Sequence, residues 1–227
     1  MKRILLFTMV VLMSGAALAA DRGDDVERLQ SAATVLKEVM SAPDKGIPEE
    51  ILTSAKCIAV IPSMAKGAFG VGGEYGKGVA SCRTAKGWSA PAFFSVRGGS
   101  FGFQIGGEAV DVVMVFMDDR GMKGLLGSKF KLGADGSVAA GPVGRHADAS
   151  TDWKMRAEVL TYSRSRGLFA GISLNGAVIM QHKDDTRAFY GRMVPFATIL
   201  NGNIEFPNDA KPWEDALKKY GGAGVTQ

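Results

Sequence analysis

The stretch that decides the fold runs from residue 57 to residue 78 and reads CIAVIPSMAKGAFGVGGEYGKG. Cys57 to Ile61 form a short apolar run that Pro62 closes, which predicts a buried strand. A glycine-rich part, Gly67 to Gly78, follows it. Glycines within strands permit sharp curvature and close packing, as at the corners of a barrel. The stretch therefore predicts a sheet that bends strongly.

Further strand candidates follow, separated by glycines and charges. They are Val79–Arg83, Trp88–Val96, Phe101–Gly107, Ala109–Met117, Lys129–Leu132, Val138-Ala139 and Glu158–Ser163. Leu168–Leu174 and Ala177–Gln181 flank Asn175-Gly176, a two-residue turn that predicts a hairpin. Many short strands with few helices between them favour a curled antiparallel sheet, barrel-like or sandwich-like. The predicted fold class is α+β and rich in strands.

Helices are predicted mainly at the two ends of the domain. From Asp24 to Met40 apolar residues recur at spacings of three and four, so this segment is predicted to be an amphipathic helix. A short helix is predicted to begin at Pro48, and a single turn at Met122–Leu126. Two more short helices are predicted near the C-terminus, at Pro195–Leu200 and Pro212–Tyr220. These helices are expected to lie at the periphery of the sheet.

The N-terminus has the layout of a secretory signal peptide. Lys2 and Arg3 precede an apolar run from Ile4 to Met13, and Ala17-Leu18-Ala19 matches an A-x-A cleavage site. A retained membrane anchor is the alternative, although the apolar run is too short to span a bilayer. Residues 1–19 are therefore predicted to be removed, which leaves a single domain at residues 20–227. The expected location is periplasmic or secreted, free or peripheral to an envelope membrane.

The chain has two cysteines, Cys57 and Cys82. In an oxidising compartment such a pair favours a disulfide, which for a loop of this length stabilises the fold by roughly 3 kcal/mol. Two buried thiols on neighbouring strands are the alternative. The state of these cysteines is therefore tied to the predicted export of the chain.

Basic residues are concentrated in the middle of the chain. The whole sequence has 27 basic and 23 acidic residues, but between Lys56 and Gln104 six bases stand with one acid, Glu74. Such a stretch can form one positive surface. Arg164 and Arg166 alternate with serines on a predicted strand, so both point from one face or form a solvated edge. The pattern favours an anionic partner.

No motif of a catalytic or metal site is complete. Gly98-Gly99-Ser100-Phe101-Gly102 matches the G-x-S-x-G pattern of serine hydrolases, but that motif places serine on a strand-to-helix turn and a strand is predicted after Ser100. His146 and His182 are the only histidines that could act as its base. The Gly67–Gly78 stretch lacks the spacing of a phosphate-binding loop. The histidines and cysteines lack metal-ligand spacing, so no metal or other cofactor is expected.

Several motifs, in order, resemble those of the SYLF domain family. They are residues 66–70 (KGAFG), 88–92 (WSAPA), 102–108 (GFQIGGE), 132–134 (LGA), 139–145 (AAGPVGR), 162–171 (YSRSRGLFAG), 190–191 (YG) and 199–202 (ILNG). The resemblance covers about Leu29 to Tyr220 and implies a lipid-binding module without catalytic residues. It also implies that eukaryotic relatives associate with phosphoinositide membranes and, in fungi, with actin, whereas bacterial relatives are mostly exported. Actin is therefore an unlikely partner of an exported chain.

Together these observations predict a domain that docks on anionic phospholipid through a basic surface and performs no chemistry. The residues expected to form that surface are Lys66, Lys77, Arg83, Lys86, Arg164 and Arg166, with Trp88 as the aromatic side chain at head-group depth. Nucleic acid is not an expected partner. The alternatives are an envelope scaffold or stress protein that binds another protein and, third, a serine hydrolase acting through Ser100.

Overall fold

The structure of the protein, a computed structural model, describes residues 22–41, 46–69, 71–101, 106–127, 129–143, 157–165 and 168–223. The predicted signal peptide, His146 and Arg166 lie outside these residues. No helix within the described ranges is long and apolar enough to cross a membrane.

Six α-helices lie within the described part of the chain. The first, α1, spans residues 22–40. The others are α2 Glu49–Ser54, α3 Asp119–Leu126, α4 Lys183–Tyr190, α5 Phe196–Leu200 and α6 Lys211–Gly221, with a 3-10 turn at Asn208–Ala210. The predicted amphipathic character of α1 is confirmed, because Leu29, Leu36 and Val39 are buried while Lys37 is exposed.

Among the described residues, ten strands form one sheet. They are β1 Cys57–Phe69, β2 Val71–Thr84, β3 Gly87–Trp88, β4 Ala92–Phe101, β5 Gly106–Phe116, β6 Lys129–Lys131, β7 Val138–Ala140, β8 Val159–Ser165, β9 Leu168–Gly171 and β10 Val178–Gln181. The order is β6-β10-β4-β2-β1-β5-β8-β7, with β3 paired to β2 and β9 to β8. All pairings are antiparallel except the parallel one between β7 and β8. The predicted α+β class with a strongly curled sheet is confirmed, and the sheet is mixed.

The hairpin of β1 and β2 forms the centre of the sheet. These strands pair along almost their whole length, from Cys57 opposite Cys82 to Phe69 opposite Val71. β4 pairs with β2 on one side and β5 pairs with β1 on the other. The end of β4 and the start of β5 therefore lie on opposite sides of the hairpin, near its turn.

β1 continues through Pro62, so the prediction that Pro62 ends the strand is wrong. The register shifts between Ile61 and Met64, which places Pro62 in a bulge, where a strand tolerates the missing N–H group. Ser63 there has a φ of 56°, and its N–H donates to Asp111 Oδ1 at 2.9 Å. The bulge lets one long strand reach from the apolar core into the glycine-rich part of the sheet.

Two cores lie on opposite faces of the sheet, because successive side chains of a strand point to opposite sides. On the first, face A, alternate strand residues such as Ala59 and Phe94 pack against α3 and α5. On the second, face B, residues such as Val60 and Phe93 pack against α1, α2 and α6. The sheet is therefore covered by helices on both faces.

The predicted disulfide between Cys57 and Cys82 is confirmed. The two residues face each other across β1 and β2, with an S–S distance of 2.02 Å. Both are fully buried in the core of face A. The bond joins residues 25 apart in the chain, for which restriction of the unfolded state contributes about 3 kcal/mol.

The hairpin predicted at Asn175-Gly176 is wrong, although the turn itself exists. Gly176 has a φ of 85°, and its N–H donates to the carbonyl oxygen of Leu132 at 2.9 Å. β9 before the turn pairs with β8, whereas β10 after it pairs with β4 and β6. Leu174 and Ala177, on either side of the turn, are buried in the core of face A. Their burial therefore favours a connection that leads from β9 on one side of the sheet to β10 on the other, instead of a hairpin.

Candidate functional site

Face B is covered by helices at one end of the sheet and open at the other. At the open end one row of residues crosses six strands, and directly paired residues point from the same face. The row consists of Lys131 on β6, Val178 on β10, Arg97 on β4, Tyr75 on β2, Ala65 on β1 and Ala109 on β5. All six are exposed except the half-buried Val178. We refer to these six residues as the open row.

A second row, next to the open row and nearer to the β1–β2 turn, consists of glycine alone. Gly99, Gly73, Gly67 and Gly107 pair across β4, β2, β1 and β5. No heavy atom beyond the neighbouring residues lies within 4 Å of the position that a Cβ would take at Gly67 or Gly99. Packing therefore does not demand glycine at these two positions, and the backbone of four strands is left without side chains on this face.

The open row is basic and has an exposed aromatic side chain. Two of its members, Arg97 and Lys131, are exposed cations, and Lys129 of β6 points from the same face. None of the three cations has a carboxylate partner among the described residues. The Arg97 guanidinium lies 5.4 Å from the centroid of the Tyr75 ring. Tyr75 is 41% exposed, and Met193 is the only other large hydrophobic residue of the described chain with comparable exposure. Cations and an amphipathic ring are thus available to a partner.

Lys77 lies one row nearer to the helices and is engaged by a carboxylate. Its Nζ donates to Asp185 Oδ1 at 3.0 Å, while Arg28 Nη1 donates to Asp185 Oδ2 at 2.9 Å. Burial acts to raise the pKa of Asp185, but hydrogen bonds from His182 and Lys77 and the charge of Arg28 outweigh it and hold the pKa at about 2. Lys77 therefore belongs to an ion-pair cluster with α1 and α4.

Lys66 lies on face A, on the opposite side of the sheet from the open row. It is paired across the sheet with Glu74 and Glu108, and its Nζ is 4.0 Å from Glu74 Oε2. Burial raises the pKa of Glu74, and the charge of Lys66 offsets this only in part. Glu108 also accepts a hydrogen bond from Ser165 Oγ. Lys66 thus stands between two acids and adds no isolated positive charge to the surface.

Arg83 and Trp88 together close the ends of two helices. The Arg83 guanidinium donates to carbonyl oxygens at the ends of α2 and α6, those of Leu52, Thr53, Ala55 and Gly221. It lies 4.6 Å from the centroid of the Trp88 ring, and burial lowers its pKa. Trp88 is 6% exposed, and its Nε1 donates to the carbonyl oxygen of Gly222 at 2.9 Å. The expectation that Trp88 is an exposed interfacial residue is therefore wrong.

The other predicted docking residues do not share a surface with these. Lys86 is exposed beside the turn between β2 and β3. Arg164 donates to Asp111 at 2.6 and 2.8 Å and also to Glu38 of α1. Arg166 lies outside the described residues. The described members of the predicted set therefore do not form one basic face, and their contact with lipid stays a prediction.

Sequence reasoning missed Lys129, Lys131 and Tyr75, and it counted Arg97 only as one base of the basic stretch. A signal was present at Lys129-Phe130-Lys131, where Phe130 is buried between two exposed lysines. Such alternation places both lysines on one face of a strand. The strand order, in which β6 lies beside β10 and β10 beside β4, could not be predicted from the sequence pattern.

Within the described ranges, no arrangement typical of catalysis or metal binding is found. No group of three or more His, Cys, Asp or Glu side chains there could hold a metal ion. Ser100 lies inside β4, paired with Gly72, rather than on a strand-to-helix turn. His182 occupies the N-cap position of α4, and its Nδ1 lies 3.0 Å from Asp185 Oδ1.

Comparison with known proteins identifies relatives along most of the chain. Residues 97–220 match the family described as Ysc84: Las17-binding protein actin regulator. SH3 domain-containing YSC84-like protein 1 of Rattus norvegicus is 35% identical over 198 residues, which cover 84% of this chain and 58% of that protein. The Xenopus laevis protein of the same name is 36% identical over 199 residues, covering 84% and 59%. Protein YSC84 of Saccharomyces cerevisiae is 35% identical over 175 residues, covering 74% and 37%.

The chain thus spans less than two thirds of the length of these relatives. The family description is that of a binding and regulatory protein, and the printed names of these relatives are not those of enzymes. The family match covers more than half of the sequence and includes strands of the open sheet face as well as the C-terminal helices. The SYLF resemblance is therefore confirmed, and the chain belongs to the Ysc84 family of SYLF-domain proteins.

Proposed function

We propose that this protein is a non-catalytic module that docks on anionic phospholipid through the open row and the neighbouring Lys129. The observation that carries the proposal is the presence of three exposed cations, Arg97, Lys129 and Lys131, beside the exposed ring of Tyr75. A lysine or arginine close to an anionic bilayer contributes about 1 kcal/mol, so three support reversible docking. A tyrosine at head-group depth adds an apolar ring with a polar tip.

The spacing of the cations favours many head groups over a single one. Lys129 and Lys131 are two residues apart on β6, which corresponds to about 7 Å. Lys131 and Arg97 are separated by two strand spacings, about 10 Å. The three side chains are exposed and spread over three neighbouring strand positions of the sheet, so each can contact a different phosphate group. We therefore expect binding to follow the charge density of the membrane rather than the identity of one head group.

Sedimentation with lipid vesicles tests the proposal. The protein should bind vesicles that contain phosphatidylglycerol and should not bind vesicles of phosphatidylcholine alone. Binding should weaken as added salt shortens the Debye length. A triple variant with Arg97→Glu, Lys129→Glu and Lys131→Glu should lose binding, because each change replaces an attraction of about 1 kcal/mol by a comparable repulsion. Its circular dichroism should be unchanged, since exposed charges contribute little to stability.

A matched control separates the open row from net charge. Lys37, Lys123 and Lys211 are exposed cations on α1, α3 and α6, and reversing them changes the net charge by the same amount. This control variant should keep most of its vesicle binding. Equal losses in the two variants would show that net charge acts, and full binding by the open-row variant would refute docking through this face.

We also propose that the protein acts after export. The support is the signal-peptide layout of residues 1–19 together with the Cys57–Cys82 disulfide, since disulfides persist in oxidising compartments. The intact mass of protein isolated from its cells, with and without reductant, is the measurement. A mature N-terminus at or near Ala20 is expected, and a chain that keeps Lys2 and Arg3 would contradict export with cleavage.

A protein partner is the second candidate function, and the names of relatives favour it. The family description refers to Las17 binding and actin regulation, and LAS seventeen-binding protein 3 of Saccharomyces cerevisiae is 36% identical over 175 residues. For an exported chain, the partner would be another protein of the envelope rather than actin. Two results together would favour actin as the protein partner and would count against export. They are failure to bind anionic vesicles at low salt and cosedimentation with actin filaments.

A further inference from the structure

A cluster of charged side chains lies largely buried between α1, α4 and β2. Arg28 Nη1 of α1 donates both to Asp25 Oδ1 at 2.6 Å and to Asp185 Oδ2 at 2.9 Å. Lys77 Nζ of β2 and His182 Nδ1 each lie 3.0 Å from Asp185 Oδ1. We refer to these five residues as the buried cluster. Two carboxyl groups therefore meet at one guanidinium nitrogen, and this contact joins α1 to the rest of the fold.

Asp25 is the member of the buried cluster with too few partners. Its side chain has no exposed surface, and its Oδ2 has no hydrogen-bond partner. The lysine and the histidine of the cluster are both placed on Asp185. An ionised carboxylate in this position would keep one oxygen desolvated and unpaired, which is costly. A neutral carboxyl group removes that charge and leaves Arg28 to neutralise Asp185.

We infer that Asp25 holds a proton in the folded protein at mildly acidic pH, and that docking of α1 on the sheet is linked to uptake of that proton. Burial raises the pKa of Asp25 to about 7, and the charge of Asp185 acts in the same direction. The hydrogen bond and charge of Arg28, and the charge of Lys77, offset these effects only in part.

The neighbouring charged groups of α1 and α4 are exposed to solvent or paired outside the buried cluster. Arg22, on the same helix, pairs with Asp209 at 2.7 Å and also donates to a backbone carbonyl. Asp24 is exposed to solvent. On α4, Asp184 and Arg187 are exposed and pair with each other at 3.4 Å. The proton on Asp25 therefore depends on the buried cluster itself.

The sign of the pH dependence follows from the two states of Asp25. When α1 opens, the carboxyl group enters water, where its pKa is near the ordinary value of 3.8. Between that value and about 7 the closed form keeps a proton that the open form has released, so rising pH favours opening. The opening equilibrium of α1 should increase about 50-fold between pH 5 and pH 7 and less than twofold between pH 7 and pH 8.

Opening of α1 would change the surface that face B presents. The helix packs on the covered end of that face, where Val60, Val79 and Phe93 are fully buried. The open end of the same face carries the open row. The buried cluster thus controls how much apolar surface adjoins the open row, and this control does not depend on what the open row binds.

Hydrogen exchange of the α1 amides between pH 5 and pH 8, corrected for intrinsic exchange rates, tests the inference. Protection in wild-type α1 should fall about 50-fold from pH 5 to pH 7. Asp25→Asn should remove this slope. Asp24→Asn, which changes the exposed neighbouring aspartate, should retain it. An unchanged slope in Asp25→Asn would overturn the inference.

Direct titration of the wild-type protein completes the test and does not depend on the folding of a variant. The carboxyl carbon of Asp25, followed by its ¹³C chemical shift, should titrate with a midpoint near 7. A midpoint near 4 would show that Asp25 is ionised in the folded protein at neutral pH, and the inference would then be wrong.

Discussion

Replacement of Arg83 by methionine should destabilise the fold, although in the sequence Arg83 resembles a surface cation. Methionine keeps an unbranched stem against Trp88 but removes the guanidinium that joins the ends of α2 and α6. Nε and Nη2 reach four carbonyl oxygens, and Nη2 has only two hydrogens to share among three of them. The variant therefore loses the equivalent of about three charge-assisted hydrogen bonds.

The magnitude follows from the setting of these bonds. A hydrogen bond to a charged group contributes about 1.5–3 kcal/mol, but carbonyl oxygens at helix ends regain water when the guanidinium is removed. Arg83 is itself only half-buried. We therefore expect the free energy of unfolding to fall by about 2–4 kcal/mol. For a domain of this size that corresponds to a decrease in Tm of roughly 5–15 °C.

Urea unfolding followed by circular dichroism, with the disulfide intact, measures this change. Lys86→Met is the matched control, because Lys86 is three residues away and exposed. Its effect should stay within about 0.5 kcal/mol. The stability of Arg83→Lys should lie between those of the two methionine variants. Lysine keeps the positive charge, but its single ammonium group cannot donate to the carbonyl oxygens of both helix ends. Equal stability of the Arg83→Met and Lys86→Met proteins would refute the structural role of Arg83.

Four other changes test the sheet and the role of Ser100. Gly78→Ala should destabilise by about 1–3 kcal/mol in urea unfolding, because a Cβ there would lie 2.6 Å from the ring of Phe94. Gly67→Ala, which meets open space, should leave the unfolding midpoint almost unchanged. Reduction of the buried disulfide should lower the free energy of unfolding by about 3 kcal/mol, and an unchanged midpoint in reductant would contradict its contribution. Ser100→Ala should keep both fold and vesicle binding, and loss of an esterase activity at unchanged stability would refute the non-catalytic assignment.

Features that depend on local pattern could be predicted from the sequence. The apolar residues of α1 recur with the period of a helix, so the helix could be predicted. The disulfide could be predicted because the chain has two cysteines and its predicted compartment is oxidising. The rows across the sheet could not be predicted, because pairing of Arg97 with Val178, and of Val178 with Lys131, depends on contacts distant in the chain. The proline bulge in β1 likewise requires Asp111 of β5 to hold the N–H of Ser63.

Arg83 and Lys86 show why the site residues were harder to predict than the strands. The two cations are three residues apart and are equivalent in charge pattern. They differ because Arg83 meets the carbonyl oxygen of Gly221, 138 residues later, whereas the side chain of Lys86 is exposed. Whether a cation serves the interior or the surface is decided by such long-range contacts. Composition alone therefore identified a basic region but not the basic face.

In the sheet, β4 and β5 pair with opposite sides of the β1–β2 hairpin, so we expect the hairpin to form before they add to it. The hairpin joins residues close in sequence, so its entropic cost of closure is small. β4 and β5 add to its two sides, and β10 extends the sheet beyond β4 from a distant part of the chain. The Cys57–Cys82 bond joins the two strands of this hairpin at the end remote from its turn, so it should stabilise the hairpin before the other strands add. A reduced chain lacks this bond whenever it begins to fold, so its refolding should be slower even where its final structure is the same.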